Sequence, residues 1–207
     1  MAKTVETNRT GPRDERKRRT RADLVETARG IFEGRGFHAA SLEEIADAAG
    51  YTKGAIYSNF AGKDELFLAV LTEHIERRAR AVIEVALDGK DFEASVRAVA
   101  RSGVEFGERE PAWTPLLVEF WTHVSNHPQL RDQVLALYER QLDAFTGVVE
   151  ELGRRHGKRF RIAPRDVVRG TAALGRGLAL ERLVAPERSL ARVYEELFVA
   201  ATVGVAE

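Results

Sequence analysis

Cysteine is absent from this 207-residue chain, and methionine occurs once. The first absence excludes disulfides, thiolate metal sites and cysteine nucleophiles, and it suits a reducing compartment. Also missing is any run approaching roughly 18 uninterrupted apolar residues, the length a membrane-crossing helix needs. The N-terminus is charged and polar and has no apolar core for a signal peptide. A cytoplasmic protein without a membrane partner is therefore expected. No segment alternates apolar and polar residues as a half-buried strand would, and there is no internal repeat. Net charge is lacking too, because 32 Lys+Arg balance 32 Asp+Glu. A uniformly basic nucleic-acid binder is thereby excluded, but a locally basic one is not. The segment from Arg13 to Arg21 sets Arg13, Arg16, Lys17, Arg18, Arg19 and Arg21 against only Asp14 and Glu15, and phosphate attraction depends on such local placement.

What is present is a helical texture, with 44% hydrophobic and 31% charged residues. Residues 1–19 show no apolar periodicity and read as a basic flexible arm. Over residues 20–35, Leu24, Val25, Ala28, Ile31 and Phe32 form one apolar stripe, ended by Gly34 and Gly36, with Phe37 as a plug. Ser41 followed by Glu44 is a capping box. Leu42, Ile45, Ala46 and Ala49 then continue a helix that Gly50 closes, because glycine adopts a positive φ without steric cost. Thr52 caps a second short helix in which Ile56 points inward while Lys53, Gly54, Ser58 and Asn59 stay outside. Ala46, Gly50 and Ile56 supply a small contact, a turn and a plug at relative positions 0, +4 and +10. This is a helix-turn-helix whose second helix is a candidate major-groove reader.

Beyond it, the pattern predicts helices near residues 63–87, 92–108, 111–125, 129–155, 164–183 and 186–203, with Pro164 and Pro186 at first turns. The expected fold is all-α, about nine helices. A three-helix DNA-binding domain at 20–64 precedes a helical ligand-binding and dimerisation domain at 65–207. Trp113, Phe120, Trp121, Tyr138 and Phe145 make the fifth to seventh helices the first place to look for a small-molecule pocket, with His123 beside them. Glu119, His123 and His127 share a face at helical spacing, but His127 also suits a helix C-terminus, and no metal site is assigned. In the eighth helix Val167, Thr171, Leu174 and Leu178 alternate with Gly170, Ala173, Gly175 and Gly177. Interior glycines cost about 1 kcal/mol each unless close packing offsets them. That composition suits self-association through the last two helices.

Gly36-Phe37, Ser41, Ile45-Ala46, Ala49-Gly50, Gly54, Ile56-Tyr57, Phe60, Lys63 and Leu66 together resemble the DNA-binding region of TetR/AcrR-type bacterial transcriptional regulators. The match covers about residues 20–67. The resemblance implies a homodimer on a near-palindromic double-stranded DNA operator, usually a repressor, released by a small-molecule effector in the C-terminal domain. It implies phosphate contacts for Tyr57, Lys63, Thr52 and Ser41, and base-facing positions for Lys53, Gly54 and Ser58. A transcriptional activator of the same fold and a helical interaction module without DNA are the alternatives. An enzyme is not expected. Gly62-Lys63 lacks the earlier glycine and the strand of a phosphate-binding loop, the Gly-Arg-Gly pairs lack a βαβ unit, and no catalytic constellation or cofactor motif is present.

Overall fold

The computed structural model describes residues 11–86, 88–186 and 191–207. Among them are nine helices and one isolated bridge, between Phe160 and Ala206. The chain divides into two compact units, Met1–Val70 and Leu71–Glu207.

In the first unit, α1 (Pro12–Arg35), α2 (Leu42–Ala48) and α3 (Lys53–Asn59) pack on one another and on the first turns of α4 (Lys63–Ala86). α1 starts at Pro12, not near residue 20. Residues 1–10 of the expected arm lie outside the described residues, and the rest of it is helix. The reason is local: proline is preset for a first turn, Asp14 and Glu15 suit its dipole, and the basic residues beyond are good helix formers. Residues 13–19 are exposed all round, so no apolar stripe announced them. Further on, Leu24, Ala28 and Phe32 have no exposure and Val25 is buried. Gly36 then turns the chain at φ 83°. Phe32, Phe37 and Phe67 meet in a cluster, with Phe67 edge-on to both others at 5.1 and 5.2 Å between centroids.

The second unit holds the remainder of α4 with α5 (Phe92–Arg109), α6 (Trp113–Ser125), α7 (Pro128–Arg155), α8 (Pro164–Glu181) and α9 (Ala191–Val203). Asp91 caps α5 by accepting from the Ala94 N–H at 2.8 Å. Pro111 belongs to the turn before α6, whose Trp113 N–H donates to the Glu110 carbonyl. α9 is described from Ala191, and 187–190 fall outside the described residues. α5 packs along α9, and α8 lies against α6, α7 and α9. One core cluster joins Ala86, Phe92, Val96, Leu152 and Val199. Arg97 and Arg101 tie α5 to Glu195 of α9 at 3.0 and 3.1 Å. The basic stretch after α7 is not free: the backbones of Arg159 and Glu207 exchange hydrogen bonds, which anchors the C-terminus. Among the described residues no helix is long and apolar enough to cross a membrane.

Candidate nucleic-acid interface and internal cavity

α2 and α3 are held at their angle by groups the sequence predicts. Ser41 Oγ accepts from the Glu44 N–H and Thr52 Oγ1 from the Ala55 N–H, both at 3.2 Å. The other half of the expected capping box is diverted, because the Glu44 carboxylate is engaged by Arg35. Gly50 turns at φ 73°, and the Tyr51 N–H reaches the Ala46 carbonyl at 2.8 Å. Tyr51 also donates its hydroxyl to Asp23 of α1 at 2.7 Å. Ile56, with no exposure, plugs the angle over Ile45 and Ala46, which are equally enclosed. The opposite face of α3 is left to solvent.

That face carries Lys53, Gly54, Tyr57 and Ser58, all exposed. Asn59, expected outside with them, is half-buried: its side chain donates to the Ala55 carbonyl, and its own carbonyl accepts from Arg21 at 2.6 Å. Arg21 lies over the Phe60 ring at 4.1 Å and so clasps the end of α3 to α1. Glu43 on α2 is a residue that sequence reasoning missed. It accepts from Lys53 at 2.7 Å and from the Tyr57 hydroxyl at 3.1 Å. The Lys53 hydrogen bond, with help from its own backbone and Tyr57, holds the Glu43 carboxyl below the usual range, and Lys53 is raised in return. Nothing in the spacing of a half-buried glutamate on a two-turn helix marks such a pairing.

Lys63 occupies a different setting from the one expected. Its Nζ donates to the carbonyls of His38 and Ala40, each at 3.0 Å, and stands 4.8 Å from the Phe37 ring. Two of its three hydrogens thus close the turn between α1 and α2, leaving one for an outside acceptor. Lys63→Ala is expected to lower the stability of the N-terminal unit by about 1.5–3 kcal/mol, the worth of hydrogen bonds from a charged donor. A denaturant midpoint unchanged from wild type refutes this structural role.

The second unit holds a partly open cavity of about 580 Å³, walled by residues of α4 to α9. Of the six expected lining residues, Trp113, Trp121, Tyr138 and Phe145 are there. Phe120 and His123 are not. Phe120 turns into the core with no exposure, and His123 stacks on His127 at 3.9 Å on the far side of α6. His127 Nδ1 lies 2.7 Å from the His123 carbonyl, as befits a helix end, and no cluster of metal-holding side chains occurs among the described residues. Trp121 donates its indole N–H to the Tyr138 hydroxyl. Burial, partly offset by that bond, pushes the Tyr138 phenol up to about 12. Trp113 lies flat on His74 at 3.7 Å, and Glu110 meets His74 Nδ1 at 2.9 Å and Arg77 at 3.2 Å.

The interface expected on α8 needs correction by residue. Val167 and Thr171 are buried within their own chain, and Leu178 lines the cavity. Leu174 is half-buried on the same side. A helix has one inner face, and these four residues share it at i, i+4, i+7 and i+11. The outer face instead shows Gly170, Ala173 and Gly177, with Val193 and Leu197 exposed on α9. A methyl group added at Gly170 or Gly177 would meet no described atom within 4 Å, so no contact among the described residues requires glycine there.

The sequence matches two family descriptions: "Bacterial regulatory proteins, tetR family" over residues 24–70, and "BetI-type transcriptional repressor, C-terminal" over residues 92–203. Among curated relatives, the HTH-type transcriptional activator FasR of Mycolicibacterium smegmatis is 35% identical over 133 residues, 64% of this chain and 58% of that protein. The alignment thus spans less than two thirds of that relative. The HTH-type transcriptional repressor BdcR of Escherichia coli is 26% identical over 78% of this chain and 82% of its own length. Among solved structures, a TetR-family chain from Mesorhizobium loti superposes with a TM-score of 0.74 at 19% identity, covering 92% of this chain and 96% of its own. The fatty acid degradation regulator FadR from Bacillus halodurans gives 0.71 at 16% identity, over 93% and 97%. At these identities the structures speak for the fold alone.

Proposed function

Because the chain belongs to the tetR family of bacterial regulatory proteins, we infer that it is a sequence-specific DNA-binding transcriptional regulator whose hold on an operator responds to a small molecule in the C-terminal cavity. The observation that carries this reading is the outer face of α3. Lys53, Gly54, Tyr57 and Ser58 stand free of the core while Ile56 beneath them has no exposure. A short helix fixed from below and bare above suits insertion into a major groove. Lys53 can donate to guanine O6 and N7, Ser58 to either base type, and Gly54 admits the backbone close to base edges. Tyr57, Thr52 and Ser41 supply hydroxyls for phosphates, and the remaining Lys63 hydrogen supplies one more. Glu43 tempers Lys53 and Tyr57 until a phosphate or base displaces it.

Two copies are needed to read a palindrome, and the outer faces of α8 and α9 provide the surface for pairing them. The cavity, with Trp113, Trp121, Tyr138 and Phe145 among its walls, is the effector site. Repression, the role in BdcR's name, is the direction we adopt, with the effector relieving it. FasR is named an activator, and a reporter placed behind the operator decides between them by whether effector raises or lowers expression. Work on a chromosomal operator places the protein in the cytoplasm. Regulators of this kind are generally not enzymes, and the site needs no cofactor.

The test is selection of duplexes from a random pool. Enriched sequences should be inverted repeats, and log affinity should fall steeply and linearly with log salt. A pool that yields no enriched sequence, or binding indifferent to salt, favours an interaction module without DNA. Gly54→Ala sharpens the test. Its added methyl would lie 3.8 Å from Thr52 Oγ1, in ordinary contact, and should stabilise α3 by up to about 1 kcal/mol. Affinity for the selected operator is nevertheless expected to drop by about 5- to 150-fold, since a poor base contact costs on the order of 1–3 kcal/mol. Unaltered affinity in that variant removes α3 from the groove.

A further inference from the structure

Arg78 stands in the cavity wall without a counter-ion among the described residues. The wall carries two carboxylates, and both are engaged: Glu110 by His74 and Arg77, and Glu139 by Arg165. Arg78, by contrast, has no carboxylate within 4 Å among the described residues, and its Nε is enclosed without a hydrogen-bond partner. As a whole residue it is half-buried, because part of its surface faces the cavity. Arg176 lines the same space and is likewise unpaired among the described residues. Burial pulls the Arg78 guanidinium below its ordinary pKa, opposed by the Tyr194 phenol and reinforced by the like charge of Arg176. Arginine nevertheless stays protonated at neutral pH. A cation held in an apolar cavity wall with its Nε enclosed, unable to lose its proton or find a partner, is costly unless something outside the chain supplies the negative charge.

The corner around Arg78 is shaped to admit such a group. A methyl built on Gly103 of α5 would stand 3.8 Å from the Tyr194 hydroxyl and 4.0 Å from Arg78 Nη2. Glycine there keeps open the space over a donor pair, a guanidinium fork beside a phenol. The wall around this corner is apolar, with Val82, Val96, Val99 and Phe198 among its residues.

We propose that the cavity takes an organic acid with an apolar body, its carboxylate paired with Arg78 and supported by the Tyr194 hydroxyl. Arg176 adds to the attraction from across the space. This rests on the effector reading of the cavity and names the chemical class of that effector. A planar carboxylate matches the guanidinium fork in two hydrogen bonds, and exclusion of water strengthens the pair. An uncharged molecule of the same shape would fill the apolar walls and leave Arg78 unpaired.

The experiment uses the full-length protein and two probe pairs with matched skeletons: dodecanoate with dodecan-1-ol, and 2-naphthoate with 2-naphthol. Affinities are measured by calorimetry for wild type, Arg78→Met and Arg176→Met. In at least one pair the acid should bind wild type tenfold or more tightly than the alcohol. Arg78→Met should erase that preference and leave alcohol binding unchanged, whereas Arg176→Met should only reduce it. Without ligand, Arg78→Met should melt at or above the wild-type temperature, because it removes an unpaired charge; an arginine with a purely structural role would melt lower. Equal binding of acid and alcohol by wild type overturns the proposal and leaves the effector cavity standing. Acid preference that survives in Arg78→Met also overturns it. If none of the four probes binds, the effector reading falls with it. Should Arg78→Met fail to fold, Arg78→Gln replaces it, and failure of both assigns Arg78 to the fold and ends the proposal.

Discussion

Gly177→Arg is expected to convert a dimer to a monomer and to cost at least about 100-fold in operator affinity. Gly177 lies on the outer face of α8, in line with Gly170 and Ala173, and an added methyl there meets no described atom within 4 Å. Glycine inside a helix gives up about 1 kcal/mol relative to alanine. No contact among the described residues offsets that, and a glycine so placed suits close approach of a second backbone. Around this stripe the chain leaves Val193 45% and Leu197 47% exposed, apolar surface that pairing would remove from water. An arginine at the centre keeps the helices apart. The fold of one protomer tolerates it, since the position is open. Each monomer then meets one half-site, and the gain from linking two binding events, on the order of 10²–10⁴, is lost. Light scattering on a sizing column reads the mass, and operator titration reads the affinity. Gly177→Ala is the control and should remain a dimer. A Gly177→Arg protein that still elutes as a dimer moves the interface elsewhere.

Phe37→Ala should unfold the DNA-binding unit while leaving the C-terminal helices intact. Phe37 is 1% exposed, edge-on to Phe67 at 5.2 Å and 5.9 Å from Phe32. It also lies beneath the Lys63 ammonium that closes the turn before α2. Removing a buried phenyl ring costs about 3–5 kcal/mol. A unit this small buries a modest share of its surface and has little stability in reserve. Hydrogen exchange should therefore show protection lost across α1 to α3 and kept across α5 to α9. Operator binding should vanish while the oligomeric mass persists. Retained protection in α2 and α3 would show that Phe32 and Phe67 alone sustain the core.

How much could be read in advance differs from element to element. The helix-turn-helix was legible because its signals are local: hydroxyl caps at Ser41 and Thr52, a glycine at the one positive-φ turn, and an apolar plug at Ile56. Each acts within a few residues, so spacing alone reveals it. The first half of α1 escaped notice for the opposite reason. It is helical by propensity and first-turn charge, without the apolar stripe that a packed helix shows. Glu43 and Lys63 also hold partners far away in sequence, or across a helix pair, which no periodicity encodes.

In the C-terminal unit the sequence by itself determined that the chain is all-helical and supplied the materials for a cavity and a pairing surface, since 3.6-residue periodicity and composition are properties of the chain. Only the tertiary structure decided which face of each helix does which task. On α8 two stripes compete, one of large and one of small residues. Packing against α6, α7 and α9 turned Val167, Thr171 and Leu178 inward and left Gly170 and Gly177 outside. On α6 it sent Phe120 to the core and Trp121, the next residue, to the cavity. It also left Arg78 unpaired among the described residues while giving Arg77, beside it, a carboxylate. Rotation of a helix about its axis depends on every neighbour at once, and that is information no single segment holds.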